Sequence, residues 1–480
     1  MYGNPISNYS NPYTDFLSDG AFVQFGREGI LEEIAQIISV PNPDHRDLHG
    51  LSGMGKTSLL RYLAGGRFVV DYHDHLSGEF HDRPDKLFFL YLSGWIDSIH
   101  PFVLMLRALN SHLQEYHQTA AAKPTLAPAL LEPLEVDGND GARAFDMLET
   151  TIRALSLAGI RPVLLFDNFD TELGFGKLNV DEVGRLGSIR DYGSLIFATE
   201  RLLEEVNPAA KGSPLFKQLT QMPFRNMHVD QAEQFLRAPL AMAKVDLPGD
   251  DIAHLIALAG GFPYLLVLGG RALWDLRRRL GLHDRPAEPL SEPMLLYLDE
   301  RLRQEFWRPF EHSFQNLNPR QQAVLIDLAR RETISLDSLH EAGKQSSRLL
   351  WLEQYGLISV LPDGRLRLFS PLFQQFVLDQ AEAQGTAAAP GLSTADLTVQ
   401  QETLYNVFRK RPDEVVTFEE LGRELWGWPP SRRAKDIQKS DLDRIRIAVS
   451  KLRRELQKSG SGGTIVSLRS RGYRFEPARG

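Results

Sequence analysis

Cysteine is absent from all 480 residues, which excludes disulfides and thiolate metal sites. No apolar run approaches the ~18–20 residues that a membrane-spanning helix requires. The opening stretch MYGNPISNYSNPYTDF has neither a basic region nor an apolar core, so it does not read as a secretory signal. Residues 1–20 are expected to form a flexible leader. No repeat of fixed period is visible. These absences fit a cytoplasmic protein with no membrane partner. Apolar residues, at 42%, suffice for ordinary cores, and the length corresponds to about three domains of ~150 residues each.

A net charge of −8 would argue against nucleic acid if it were spread evenly. It is not. Residues 396–480 hold 18 Lys+Arg against 12 Asp+Glu, so that stretch carries +6 and the remainder −14. An acidic body with a basic end points to a polyanion-binding terminus.

Short apolar runs, Leu87–Leu92, Pro162–Phe166 and Ser194–Ala198, alternate with helical patterns between Phe22 and Arg201. They read as buried parallel strands of an α/β unit. The pattern turns helical from Asn226 to His283. From Asn318 to Gln380 it reads as three helices and then two short strands about the turn Pro362-Asp-Gly-Arg365. The stretch AEAQGTAAAPGLST, poor in aromatics, reads as a linker.

Gly50-Leu-Ser-Gly-Met-Gly-Lys-Thr57 satisfies the phosphate-loop spacing G-x-x-x-x-G-K-T in full. Glycines let backbone N–H groups wrap an anion, and the helix from Ser58 points its positive end at the same place. Gly50, Gly53, Gly55, Lys56, Thr57 and Ser58 are therefore the expected ATP or ADP ligands. Lys56 would reach the β- and γ-phosphates and Thr57 would hold Mg²⁺. The metal's second protein ligand should be an acid ending an apolar strand, and Asp167 closes Val163-Leu-Leu-Phe-Asp167. The next residue, Asn168, carries an amide that cannot accept a proton from water. Asp170, or Glu200 at another strand end, is left to do so. The expectation is slow ATP hydrolysis, with the nucleotide acting mainly as a latch.

Phe25-Gly-Arg-Glu28, the phosphate loop, Asp167-Asn-Phe-Asp170, Ala198-Thr-Glu-Arg201 and Leu258-Ala-Gly-Gly-Phe-Pro-Tyr264 occur in this order. The series resembles STAND ATPases and their origin-recognition-like AAA+ relatives over residues 20–380. The resemblance implies that Arg27 lies near the nucleotide base, that Thr199 and Arg201 sense the γ-phosphate, and that Pro263 brings a helical lid to the nucleotide. Arg201 also reads as a solvated helix-start arginine, Pro263 as an ordinary first-turn proline, and Arg271 as a second phosphate sensor or a solvated lid residue. The family implies a homo-oligomer in the ATP state. The helix Lys344–Glu353 carries only two basic residues, which favours internal packing over DNA contact.

Asp441–Leu456 is helical in period, with Ile445, Val449, Leu452 and Leu456 on one stripe. Arg444, Arg446, Ser450, Lys451, Arg454 and Lys458 fall away from it, as a helix in the major groove requires. Thr464–Phe475 reads as a hairpin, with Arg469 and Arg471 at its turn and Arg474 beyond, suited to a minor groove. Together with Leu397–Glu402 and Phe418–Trp426 these stretches resemble the OmpR/PhoB-type winged helix. Ser470 stands where that family's wing usually has glycine.

The expected architecture is multidomain α/β plus α. A P-loop NTPase parallel sheet spans 21–212, a helical lid 213–290, a winged-helix arm 291–382, a linker 383–395 and a DNA-binding winged helix 396–480. The expected function is an ATP-controlled, DNA-binding transcriptional regulator whose partners are nucleotide, double-stranded DNA, further copies of itself, and RNA polymerase or an inducer. A DNA-remodelling ATPase and an immune-type scaffold that oligomerises on a ligand remain as rivals. Asp71–His81 holds three histidines and several acids; a transition-metal site and a polar loop both fit it.

Overall fold

The structure, a computed structural model, describes residues 11–13, 26–42, 44–119, 136–171, 174–283, 285, 287–315, 317, 319–331, 333–335, 352, 355–361, 363–385, 399–426, 428, 437–458, 463–468 and 472–477. The chain divides into two compact units: Met1–Ser313 with Thr333–Gln374, and Phe314–Glu332 with Gln375–Gly480.

The first unit is built on five parallel strands: β1 His45–His49, β2 Leu87–Leu92, β3 Arg161–Asp167, β4 Ser194–Thr199 and β5 Leu219–Pro223. Their order is β2-β3-β4-β1-β5. The three expected strands are β2, β3 and β4. β1 and β5 are additional, and β1 reads His-Arg-Asp-Leu-His, which carries no apolar signal although every position is buried. Register places His49 beside Thr199 and Asp167 beside Ala198, so the ends of β1, β3 and β4 lie together. Helices Pro101–Thr119, Gly141–Leu157 and Val180–Ser188 pack their apolar stripes on the sheet. Phe102, Phe145, Phe166, Phe169 and Phe197 form that core. Asn179 and Glu182 close a capping box at the start of the third of these helices.

Helices Val229–Met242, Gly249–Ala259 and Pro263–Arg279 supply the expected helical region, and a further helix, Glu292–Gln315, follows it. Gly260 and Gly261 end the second of these with φ +62° and +76°. A Cβ at 260 would meet the Phe369 carbonyl oxygen at 1.6 Å, and one at 261 the Met227 oxygen at 2.1 Å, so only glycine fits both places. Within the same unit, β6 Ile334–Ser335, β7 Ile358–Val360 and β8 Arg365–Leu368 form an antiparallel sheet in the order β6-β8-β7. β7 and β8 are the two strands expected about the turn at Asp363-Gly364. The helix expected over Lys344–Glu353 lies outside the described residues except for Leu352.

Part of the presumed leader is anchored. Tyr13 is 2% exposed, its hydroxyl donates to the Leu236 carbonyl at 2.9 Å, and Asn11 donates to the Arg271 carbonyl and the Asp275 carboxylate. The expectation of a flexible leader is corrected for residues 11–13. Tyr13 finds room because position 270, beside it on the helix, is glycine.

In the second unit, helices Val399–Lys410, Phe418–Trp426 and Lys439–Lys458 pack around β9 Val415–Thr417, β10 Gly463–Leu468 and β11 Gly472–Pro477. The sheet order is β10-β11-β9, all antiparallel. Leu404, Phe408, Ile445, Val449, Leu452, Ile465 and Phe475 form a separate core. Three helices and a terminal hairpin make this a winged helix. The helix Pro371–Gly385 runs to residue 385, past the expected linker start at 383; residues 386–395 lie outside the described set. Among the described residues no helix is long and apolar enough to cross a membrane.

Candidate functional site

The phosphate loop links β1 to the helix Lys56–Ala64. Gly53 and Gly55 hold φ of +84° and +91°, a left-handed backbone that favours glycine. A Cβ at 53 would lie 2.9 Å from Tyr264 Cβ. Gly50 passes equally close to Phe224, where a Cβ would meet the carbonyl oxygen at 3.0 Å. Lys56 is buried, and its ammonium donates to the Gly50 and Leu51 carbonyls at 2.7 and 2.8 Å. Burial pushes its pKa down, against the opposing pull of Glu200, Asp170, Asp167 and Asp47.

A cavity of about 340 Å³ opens above this loop. Ser52, Gly53, Gly55, Lys56, Thr57 and Ser58 line it from the loop and its helix. Pro263, Tyr264, Val267, Leu268 and Arg271 line it from the helix Pro263–Arg279, and Asn168 and Glu200 complete it. Arg271 Nε is buried with no hydrogen-bond partner among the described residues. Of the residues singled out from sequence, Gly53, Gly55, Lys56, Thr57, Ser58, Asn168, Glu200, Pro263 and Arg271 thus line one cavity.

Asp167 adjoins it. Thr57 Oγ1 donates to Asp167 Oδ1 at 3.0 Å, the Tyr91 hydroxyl to Oδ2 at 2.6 Å, and Trp95 Nε1 to the backbone oxygen at 3.0 Å. Asn168 follows in a left-handed turn, φ +51°. Asp170 is 6% exposed, and its Oδ2 accepts the amides of Glu200 and Arg201 at 2.9 and 2.7 Å. The Arg201 guanidinium turns back to the Asp170 carbonyl at 2.8 Å. Burial raises the Asp170 pKa while the two amides lower it. The Thr199 hydroxyl donates to Asp47 Oδ1 at 2.7 Å inside the sheet. Arg27 does not line the cavity. It is buried, donates to the Met54 carbonyl at 3.3 Å, and lies 4.4 Å from the Phe224 ring centroid; burial lowers its pKa to about 10.

Asp47, Tyr91 and Trp95 escaped the sequence reading. Tyr91 had one available signal, its place near the end of an apolar strand. Asp47 had none, because a strand spelled His-Arg-Asp-Leu-His does not announce itself. In the Asp71–His81 stretch the rings of His73 and His81 lie 4.4 Å apart, but no group of three or more metal-ligating side chains occurs among the described residues.

In the second unit the helix Lys439–Lys458 buries Ile445, Val449, Leu452 and Leu456 and exposes Arg444, Arg446, Ser450, Lys451 and Arg454. Arg453, from the same helix, donates to the Ile465 carbonyl and Ser467 hydroxyl of β10, each at 2.8 Å, and so ties helix to hairpin. Arg474 on β11 is half-buried and paired with Glu476. Arg469 and Arg471 lie outside the described residues, as does the side chain of Lys458.

Sheet, loop and cavity define a P-loop NTPase fold, and the second unit carries an OmpR/PhoB-type winged helix. Residues 393–475 match the family described as transcriptional regulatory protein, C terminal, which bears out the resemblance read from that end of the sequence. Among solved structures the chain is similar to the Walker-type ATPase of Pyrococcus abyssi, at 16% identity and TM-score 0.43, covering 74% of this chain and 95% of that one. It is also similar to the ORC1 protein of Aeropyrum pernix, solved in complex with DNA (16%, 0.36, 75% and 94%). A third similar structure is the RuvB Holliday junction branch migration motor of Thermotoga maritima (13%, 0.34, 77% and 100%). No curated protein matches the chain.

Proposed function

We propose that the chain is an ATP-controlled, DNA-binding transcriptional regulator. The observation that carries the reading is the basic solvent face of the helix Lys439–Lys458, within a region that matches transcriptional regulators, in one chain with a glycine-loop cavity.

The residues at the cavity fit Mg²⁺–ATP. The loop is bare of side chains where a Cβ at 53 would collide, and Lys56 is held at its base. Thr57 Oγ1 and Asp167 Oδ1 lie 3.0 Å apart, which supports the two as a magnesium ligand pair. In this reading Gly50, Gly53, Gly55, Lys56 and Ser58 hold phosphates, Thr57 and Asp167 hold the metal, and Pro263 contacts the nucleotide from the lid. Thr199 and Arg201 respond to the γ-phosphate, and Arg27 supports the loop near the base. Mg²⁺–ATP supplies a binding free energy that differs between two conformations of the chain, and only that difference can move the equilibrium. Asp170 Oδ2 accepts two backbone amides and Asn168 offers only an amide, which supports slow hydrolysis with the nucleotide acting as a latch. Arg444, Arg446, Ser450, Lys451 and Arg454 contact DNA, joined by Arg469, Arg471 and Arg474 from the hairpin. Pairing two copies on adjacent half-sites raises avidity without new base contacts.

Selection of random duplex DNA on the full-length protein at ~150 mM salt, where the non-specific phosphate contribution is suppressed, tests this. The arms are ATP–Mg²⁺, ADP–Mg²⁺ and neither. A repeated half-site enriched with ATP alone is expected. Failure to enrich any sequence in any arm would reject the reading. Glu200, which lines the cavity, favours a second reading as a DNA-remodelling ATPase; DNA-stimulated hydrolysis without sequence enrichment would support that one.

A further inference from the structure

We infer that Tyr91 is a positioning residue for Asp167, and that through this carboxylate it sets how tightly the cavity holds a divalent cation with its nucleotide. The inference rests on the nucleotide reading above.

Tyr91 is the fifth residue of β2, the edge strand beside β3, and pairs in register with Leu165. Its hydroxyl donates its single proton to Asp167 Oδ2 at 2.6 Å, while Thr57 donates to Oδ1 at 3.0 Å. Both oxygens are therefore held, from opposite partners, and the carboxylate cannot rotate without losing one bond. The backbone beneath is also fixed. Trp95 donates to the Asp167 carbonyl at 3.0 Å, and its ring lies 4.5 Å from that of Phe169. The Tyr91 ring is placed in turn by Arg61, whose guanidinium carbon lies 5.9 Å from its centroid.

Metal-ligating carboxylates depend on such outer partners. They hold the ligand oxygen in one orientation, and their loss costs about 10–100-fold in metal affinity. Thr57 belongs to the ligand pair itself, so Tyr91 is the partner that fixes the carboxylate from outside. A tyrosine serving only to satisfy its own hydroxyl makes a different prediction: its removal lowers thermal stability and leaves cation dependence unchanged.

The test uses the full chain and a fluorescent ATP analogue, with affinity measured in EDTA and then across a Mg²⁺ titration. Tyr91→Phe keeps the ring and removes only the hydroxyl. The expected result is an unchanged affinity in EDTA, and a half-saturating Mg²⁺ concentration raised about 10–100-fold. A Tyr91→Phe titration that superimposes on wild type overturns the inference. Asp167→Asn is run alongside. If it too leaves the Mg²⁺ curve unchanged, or if wild type binds no nucleotide in any arm, the nucleotide reading itself fails.

Discussion

Asp170 shows how the fold assigns a residue its work. On sequence it is a carboxylate two positions past a missing glutamate, a natural replacement base. In the structure its Oδ2 accepts the Glu200 and Arg201 amides, so it holds together the chain ends of β3 and β4. Asp170→Ala is expected to leave two amides without their acceptor and to destabilise the protein by about 1–3 kcal/mol. Asp170→Asn keeps an acceptor and should lose less. Denaturant melts of both variants check the order. If Asp170→Ala melts like wild type, the bracing role is wrong. Lys56 and Thr57 were legible as motif positions, where phosphate-loop spacing fixes residue type, and Asp167 was legible as the acid closing an apolar strand. Tyr91 was not: its place near the end of an apolar strand is a weak local signal, and its partner lies 76 positions away.

The helix Lys439–Lys458 was legible as an element. A stripe of Ile445, Val449, Leu452 and Leu456 repeats at helical spacing, and the charged residues fall where that stripe is not. Two substitutions separate reading from gripping. Lys451→Ala should weaken binding to every duplex alike and lower the salt-dependence slope by about 1. Arg446→Ala should cost about 1–3 kcal/mol on the selected site and relax preference at one base pair. Equal losses on specific and random DNA for Arg446→Ala would make it a phosphate contact instead. The β1 strand is the opposite case. Its residues are polar, and it is a strand because β4 and β5 pair with it on both sides.

At the scale of the molecule, the polar centre of the sheet gives the protein a pH dependence. Burial lowers His45 from 6.5 to about 3 and His49 to about 4. Both are held neutral, so the stability they contribute is present above 6.5 and is lost as pH falls through about 4 and 3. Burial raises Asp47 from 3.8 to about 7, against the Thr199 hydrogen bond. Its contribution has the other sign: present below 3.8 and lost as pH rises through 7. Asp47→Asn keeps an acceptor for Thr199 and removes the charge. Its melting temperature should exceed that of wild type by more at pH 8 than at pH 5, with about 1.4 kcal/mol per pKa unit as the upper bound. Melts in EDTA at the two pH values decide it, and an equal difference at both would rule out Asp47 as the source.

The sequence alone determined the parallel α/β class, the phosphate-loop motif, and the basic winged helix at the far end. Each follows from local spacing: apolar runs, glycines before lysine and threonine, a stripe at helical period. Tertiary structure alone decided that β1 is a strand, that Tyr13 is anchored, that Asp170 accepts the Glu200 and Arg201 amides, and that the Tyr91 hydroxyl reaches Asp167. Those four depend on contacts between residues distant in the chain, where burial and hydrogen-bond satisfaction override what any short stretch prefers.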